Sequence, residues 1–420
     1  MFVPSEQNPF YSLVETEKIN FLQGEILSNP VKSASGKTYS FTLKVNNAGI
    51  TEKDFYTRTF LDFSDYENYL KNIESGFFSS AEGNVKIYIP TEIVEAYYPG
   101  KLYSIAKNQN DSEIPIIESG LKLAINVSYL ENDDENGFNT NQKSFYVKKI
   151  YCHQYESTLN FYRAYSRLIL KRILYNWKEA GGLLLALVSG AKEYTSIQDQ
   201  ENFKKSGLAH VLALSGMHLS IFASLPKIFK KKNTELVSFM FVLLFVWFAG
   251  LSPSLLRALI SLMLGLFLKS INIKSDLIGV LSLTFLIQVS IFPNHVFDYG
   301  FILSYGALAG LALGEKLFLP IFSKFLPKKI AADFAASVGA QGITAPITLL
   351  GFGTCSPIGI LASVIVSPVA NIFLSLGIFA LIISILFPFL LDPIGCIMWL
   401  IYVILTSVVN FFSKFPIIKM

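Results

Sequence analysis

Two serine–glycine pairs and two histidines crowd into one apolar stretch: Ser206-Gly207, His210, Ser215-Gly216 and His218. Serine and histidine can make a nucleophile and its base, and imidazole is also a metal ligand. On one continuous helix, His210 and His218 lie within about 80° of each other, but about 12 Å apart along the axis. A single metal ion does not bridge that distance without ligands from elsewhere. A serine nucleophile needs a base within hydrogen-bond reach, and His218, one turn from Ser215, is poorly placed for that. What remains is a polar stripe in an apolar segment. Inside a membrane such groups face protein or a wet cavity and mark functional positions. Small Ser and Gly residues also let helices approach closely.

The elements that must position these residues follow from composition. The chain has 420 residues, of which 52% are hydrophobic and only 16% charged. Its mean hydropathy is +0.45. Soluble domains are about 25% charged. Residues 1–180 hold 19 Lys and Arg against 22 Asp and Glu, a net of −3; residues 181–420 hold 16 against 9, a net of +7. This excludes a disordered chain, a collagen and a single soluble domain. It leaves a soluble-like segment joined to one that can live in a bilayer. The overall charge of +4 is too weak to argue nucleic-acid binding. Cys152, Cys355 and Cys396 show neither disulfide nor metal spacing, and no cofactor is expected.

Residues 1–155 read as strands and turns. Apolar or alternating runs occur at Lys18–Leu27, Gly36–Val45, Val85–Ile89, Lys101–Ile105, Leu121–Tyr129 and Phe145–Tyr151, the period of half-buried strands. Pro99-Gly100 and the acidic, Asn-rich stretch Glu131–Asn141 read as turn and loop. The expected fold there is a small β-barrel or sandwich. Residues 156–200 read as an amphipathic helix and linker. Arg163, Arg167, Lys171, Arg172 and Lys178 recur at helical spacing, as in a helix lying at a membrane surface.

From 201 to 420 the chain reads as a transmembrane domain of about 7–9 segments. The candidates are 208–228, 236–251, 254–268, 276–292, 297–314, 331–350, 357–388 and 394–413. The 357–388 run is long enough for one tilted helix or a broken pair. Lysines at 230–232, at 269 and 274, and at 316, 324, 328 and 329 are separated by even numbers of crossings. The positive-inside rule puts them in the cytoplasm and the β domain outside. Met1–Asn20 has no basic or apolar leader, so a membrane segment upstream of this start is expected.

The run from Ser206 to His218, Ser-Gly-Leu-Ala-His-Val-Leu-Ala-Leu-Ser-Gly-Met-His, resembles the hallmark of the ComEC-type competence family. Three further stretches agree, in the family's order. They are Gly250-Leu-Ser-Pro-Ser-Leu-Leu-Arg257, Phe297-Asp298-Tyr-Gly-Phe-Ile-Leu-Ser304-Tyr-Gly, and Ala340-Gln341-Gly-Ile-Thr-Ala-Pro346 with Phe352-Gly353 and Pro357–Pro368. Ile302 stands where the family has Gln, and Ser363 where it has Asn. The β segment is similar to the family's oligonucleotide-binding-type barrel, with Val85–Pro90 before Tyr98-Pro-Gly-Lys the best local match.

The resemblance implies a polytopic α-helical membrane protein with an N-terminal small β-barrel of oligonucleotide-binding type. It implies a channel, not an enzyme, in the bacterial inner membrane, passing single-stranded DNA into the cytoplasm during natural transformation. Ser206, Gly207, His210, Ser215, Gly216, His218, Arg257, Asp298, Ser304 and Gln341 are the residues it assigns to the DNA path or channel function. Arg257 is the only arginine after residue 172 and is expected to contact phosphates or to pair with Asp298. The implied partners are single-stranded DNA, membrane lipid, a DNA-receptor protein on the outer side and a cytoplasmic ATP-driven motor. The motor is expected because no GxxxxGK[ST] loop occurs. Many family members carry a metallo-β-lactamase-like domain, but no His-x-His-x-Asp-His run occurs among the four histidines here. The alternatives are an intramembrane serine protease built on Ser215 and a solute transporter. The outer β domain and the lack of an evident inverted repeat weigh against the transporter.

Overall fold

The computed structural model describes residues 9–33, 35–50, 78–96, 116–130, 143–192, 194–214, 216–225, 234–250, 252–273 and 276–419. The chain divides into two compact units, Glu6–Arg172 and Ile173–Met420.

The first unit is a closed barrel. Its strands are β1 (Phe21–Ile26), β2 (Val31–Lys32), β3 (Thr38–Gly49), β4 (Phe78–Ser80), β5 (Asn84–Pro90), β6 (Leu121–Leu130) and β7 (Ser144–Tyr155). The ring runs β1-β3-β5-β7-β6 and closes because β1 pairs with both β3 and β6. Every pairing in it is antiparallel except β5–β7. The short strands β2 and β4 pair with the two ends of β3. Five strands closed this way form the oligonucleotide-binding-like barrel expected from the sequence, and closure removes unpaired edges. The alternation explains the core. Tyr39, Phe41, Leu43 and Val45 of β3 and Val85, Ile87 and Ile89 of β5 are buried, while Lys44, Lys86 and Tyr88 between them face outward. Each such side chain contributes about 1.5–3 kcal/mol by leaving water. The run Lys101–Ile105, the turn Pro99-Gly100 and the loop Glu131–Asn141 lie outside the described residues.

A short helix α1 (Thr91–Glu95) follows β5, and α2 (Thr158–Asn176) follows β7. The helix α2 forms where the basic periodicity predicts, but its basic face is not turned to a membrane surface. Arg167, Lys171 and Arg172 are only 1–2% exposed. Arg167 Nε donates to Glu118 Oε2 at 3.0 Å, and Lys171 Nζ donates to Glu118 Oε1 at 2.6 Å. Arg163 Nη2 donates to Ser119 Oγ at 3.0 Å. The interfacial reading needs those cations in the open, and Glu118, just before β6, holds Arg167 and Lys171 inward.

The second unit is helical. It comprises α3 (Lys178–Ser189), α4 (Ile197–Lys205), α5 (Gly216–Ser224), α6 (Thr234–Ala249), α7 (Pro253–Ser270), α8 (Leu277–Ile291), α9 (Tyr299–Phe322), α10 (Lys328–Phe352), α11 (Gly359–Leu386) and α12 (Leu391–Ser413). Five segments are long and apolar enough to cross a membrane: α7, α9, α10, α11 and Pro388–Ser413, which includes α12. Two apolar helices are shorter, at Val237–Ala249 and Leu277–Ile291. Phe267, Leu286, Leu317, Phe379 and Leu400 are exposed on them, as suits a hydrocarbon surround. By contrast α3 is buried from Ala180 to Ser189, so this apolar run is a core helix.

One alternative about the spans is resolved and one expectation changes. The run 357–388 is one helix and not a broken pair, because α11 continues through Pro368 for 28 residues. Neighbouring helices can satisfy the backbone that an interior proline frees. The run 208–228 is not a span. Residues 206–214 are turns, and α5 has only nine residues. Helices α9 and α10 touch backbone to backbone. A Cβ on Gly339 would strike the Gly310 carbonyl oxygen and come within 2.5 Å of Gly314 Cα. Small residues at these positions permit that approach.

Candidate functional site

The hallmark run begins as a helix ending. Gly207 has φ of 75°, a left-handed conformation that glycine adopts without a Cβ penalty. The Leu208 amide donates to the Phe203 carbonyl at 2.8 Å, and the Gly207 amide donates to Lys204 at 3.1 Å. This pair of bonds is the Schellman closure of α4. Leu208 and Phe203, its hydrophobic clasp, are both buried. Ser206 is fully buried, and its Oγ donates to the Phe203 carbonyl at 3.2 Å. The chain cannot continue as helix through this closure. His210 therefore sits exposed in a turn, while His218 is buried in α5. The expected single helix carrying both histidines does not form. Ser215 lies outside the described residues.

The same turn meets the fourth signature. A Cβ on Gly207 would stand 2.9 Å from Gly359 Cα and 3.2 Å from the Ser356 carbonyl. Ser356 Oγ donates to the Lys205 carbonyl at 2.7 Å. Gly359 opens α11, and the Gln341 amide of α10 occupies the place where its Cβ would be. Three segments far apart in sequence thus close around two glycines.

The second cluster joins the first three signatures. Ser252 caps α7, accepting from the Leu255 amide at 3.3 Å, with Pro253 at the first helical position. This placement uses proline's missing donor at no cost. One turn later comes Arg257, only 7% exposed. Its Nη1 donates to the Ser304 carbonyl of α9 at 2.7 Å, and its guanidinium lies 5.9 Å from the Tyr305 ring centroid. Ser304 Oγ donates to Ser254 Oγ at 3.0 Å. Gly216, the first residue of α5, faces the same group, since its Cβ position is 3.7 Å from Arg257 Nη2.

The expected Arg257–Asp298 pair does not form. Asp298 is the N-cap of α9, and its Oδ1 accepts from the Gly300 amide at 2.6 Å. A capping carboxylate is bound to its own helix end and held by the positive end of that dipole. Arg257, with its carboxylate candidate engaged elsewhere, finds a backbone carbonyl and an aromatic face.

Several members of this network were not singled out from the sequence. The Tyr305 hydroxyl donates to Gln288 Oε1 at 2.9 Å, and Gln288 Nε2 donates to the Pro253 carbonyl at 3.1 Å. Gln288 Nε2 also lies 3.4 Å from His295 Nδ1. Gln288 is the signal that could have been read, as the one amide side chain in the apolar helix α8. Ser254, Ser356 and Gly359 carry no such signal. Among the described residues, no group of three or more His, Cys, Asp and Glu side chains could hold a metal ion.

Residues 187–420 match the family model described as Competence protein. The chain is 26% identical over 198 residues to ComE operon protein 3 of Bacillus subtilis (strain 168), covering 45% of this chain and 25% of that protein. It is 25% identical over 234 residues to an uncharacterized protein of Aquifex aeolicus (strain VF5), covering 55% of this chain and 54% of that one. The chain thus spans a quarter and about half of these two curated relatives. No solved structure matches.

Proposed function

Since the chain belongs to the competence protein family, we propose that it acts in DNA uptake, as a channel passing single-stranded DNA through the bacterial inner membrane during natural transformation. One observation supports this most. The four signature segments, separated along the sequence, gather into polar clusters inside an otherwise apolar helical unit. A simple anchor needs no buried arginine, serines and glutamine between its helices, and such groups are costly in lipid without a task. A path for a polyanion needs polar lining and fixed positive charge.

In this reading the site residues divide by task. Ser206, Gly207 and Gln341 shape the turn beside α11. Gly216, Arg257 and Ser304 form the charged cluster. His210 is a solvent-facing candidate, and His218 a buried one. The barrel stands on the outer side, where a receptor protein hands over DNA, and a cytoplasmic ATP-driven motor supplies the work. The protein acts as a conduit and not as a catalyst.

The test is uptake of labelled DNA in a transformable strain deleted for this gene, complemented with the wild type or with Arg257→Ala. Cytoplasmic label is expected to vanish in the deletion, return with the wild type and return poorly with the variant. Normal entry of label in the deletion strain overturns the proposal.

A further inference from the structure

We propose that α4 lines a water-filled crevice, which reaches from the C-terminal end of α12 to the middle of that span. This rests on the helical unit being embedded in a membrane, and not on DNA passage. The composition of α4 is the first observation. Of its nine residues only Ile197 and Phe203 are apolar. Gln198, Glu201 and Lys204 are exposed, at the i, i+3 spacing that makes neighbours on one helix face. Glu201 and Lys205 pair at 3.0 Å, with side chains 52% and 44% exposed. Phe203, on the opposite side, is buried.

The second observation is the depth of this helix. The segment Pro388–Ser413 is long and apolar enough to cross a membrane, and Tyr402 is the middle residue of α12. The Tyr402 hydroxyl donates to Asp199 Oδ2 at 2.6 Å, so the first turn of α4 lies level with the middle of the span. Glu201 comes two residues later, about 3 Å along the axis. The last residue of α4, Lys205, accepts from Ser356 Oγ, next to the strand pair that joins Thr354-Cys355 to Ile418-Lys419 just past α12. On α12 itself Leu400 and Ile404, at the same level as Tyr402, are 58% and 52% exposed. Apolar groups therefore face outward from α12 at the depth where charged ones face outward from α4. An exposed ion pair there is costly in hydrocarbon. Polar structure at membrane depth is either buried in protein or lines a wet cavity, and Gln198 and Glu201 are not buried. Spans joined by short connections alternate in direction, so the crevice opens opposite the α9–α10 connection that carries Lys324. Asp199 and Glu201 balance Lys204 and Lys205, which leaves α4 no surplus of positive charge for a polyanion. The crevice admits water and small hydrophilic solutes.

The test labels single cysteines in the full chain, with Cys152, Cys355 and Cys396 replaced by alanine, in cell-membrane vesicles prepared in both orientations. Gln198→Cys and Glu201→Cys are compared with Leu400→Cys and Ile404→Cys at the same depth. A charged, membrane-impermeant maleimide is expected to label the α4 pair about tenfold faster than the α12 pair, since the reactive thiolate forms in water and not in hydrocarbon. Labelling after dissolution in dodecyl sulfate should be equal at all four positions, which shows that each thiol is present. Protection of the α12 pair in the membrane guards against misfolding. The α4 pair should label in the vesicle orientation in which Lys419→Cys labels, and not in the one in which Lys324→Cys does.

Labelling of the α4 pair as slowly as the α12 pair overturns the crevice. Fast labelling of Leu400→Cys and Ile404→Cys also overturns it, because it removes the span from which the depth is measured. Access from the side of Lys324→Cys does the same. A protected α4 with uptake still lost in the deletion strain removes the crevice and leaves DNA passage standing. An accessible α4 with normal uptake in the deletion strain does the reverse.

Discussion

Glu118 of the barrel unit lies between Arg167 and Lys171, at 3.0 and 2.6 Å, with all three side chains buried. In the helical unit Arg257 is buried against the Ser304 carbonyl and the Tyr305 ring. Both regions take cations out of water, but among the described residues a carboxylate meets them in the barrel and not at Arg257. Burial by itself raises the Glu118 carboxyl, yet Arg167 and Lys171 outweigh that and hold it below the ordinary carboxylate value. Buried cations that share a carboxylate are held in place by it, and removing that carboxylate is costly. An ionisable residue inside an apolar helical unit marks a candidate functional position. The barrel's buried cations meet a carboxylate, and Arg257 meets a carbonyl and a ring.

The contrast can be broken most readily at Glu118. Glu118→Ala takes the carboxylate away from two buried cations and is expected to destabilise the barrel unit by about 3–5 kcal/mol. Thermal unfolding in detergent measures this, and an unmoved transition removes the structural half of the comparison. The pH dependence has a definite sign. Because the folded carboxyl is held low, its contribution is complete above the unfolded value, about 4.3. It is lost as pH falls through the lower folded value. Glu118→Gln should abolish that acid-limb dependence.

Next in size is the glycine contact between α9 and α10. Gly339→Ala drives a methyl into the Gly310 carbonyl and should cost about 1–3 kcal/mol through strain. Protease resistance of the helical unit is expected to fall. Tyr305→Phe removes the bond to Gln288, worth about 1 kcal/mol, and leaves the ring under Arg257 in place. The smallest effect on stability is expected from Arg257→Met. Losing the Ser304 bond is offset by no longer burying a charge, so unfolding should change by less than about 1 kcal/mol, while DNA uptake drops. A large stability loss there would make Arg257 a second Glu118-type structural group and erase the contrast.

Much of this was legible in local pattern. The inward alternation of Tyr39, Phe41, Leu43 and Val45 is a period-2 signal. The helix entries at Ser252-Pro253 and Asp276 are cap signals, and both side chains cap as written. The apolar helices α6 to α12 fall close to the expected spans. The run at 208–228 misled because its apolar content matches a span, while the left-handed Gly207 had already closed α4. The basic stripe of α2 misled in another way. Its period was visible, but its anion was not.

From the sequence alone came two unlike territories, a competence-type helical unit, and a short roster of polar residues inside it. These depend on composition, on periodicity and on interactions within about four residues, all of which are written in order along the chain. Only the tertiary structure decided which charge meets which. Glu118 and Arg167 are 49 positions apart, Arg257 and Ser304 are 47, and Lys205 and Ser356 are 151. No local rule carries such pairings. Asp298 was the obvious partner for Arg257 by type, but a helix end two residues away engaged it first. That local capture, combined with the packing of α5, α7 and α9, left Arg257 beside Gly216 and on the Ser304 carbonyl.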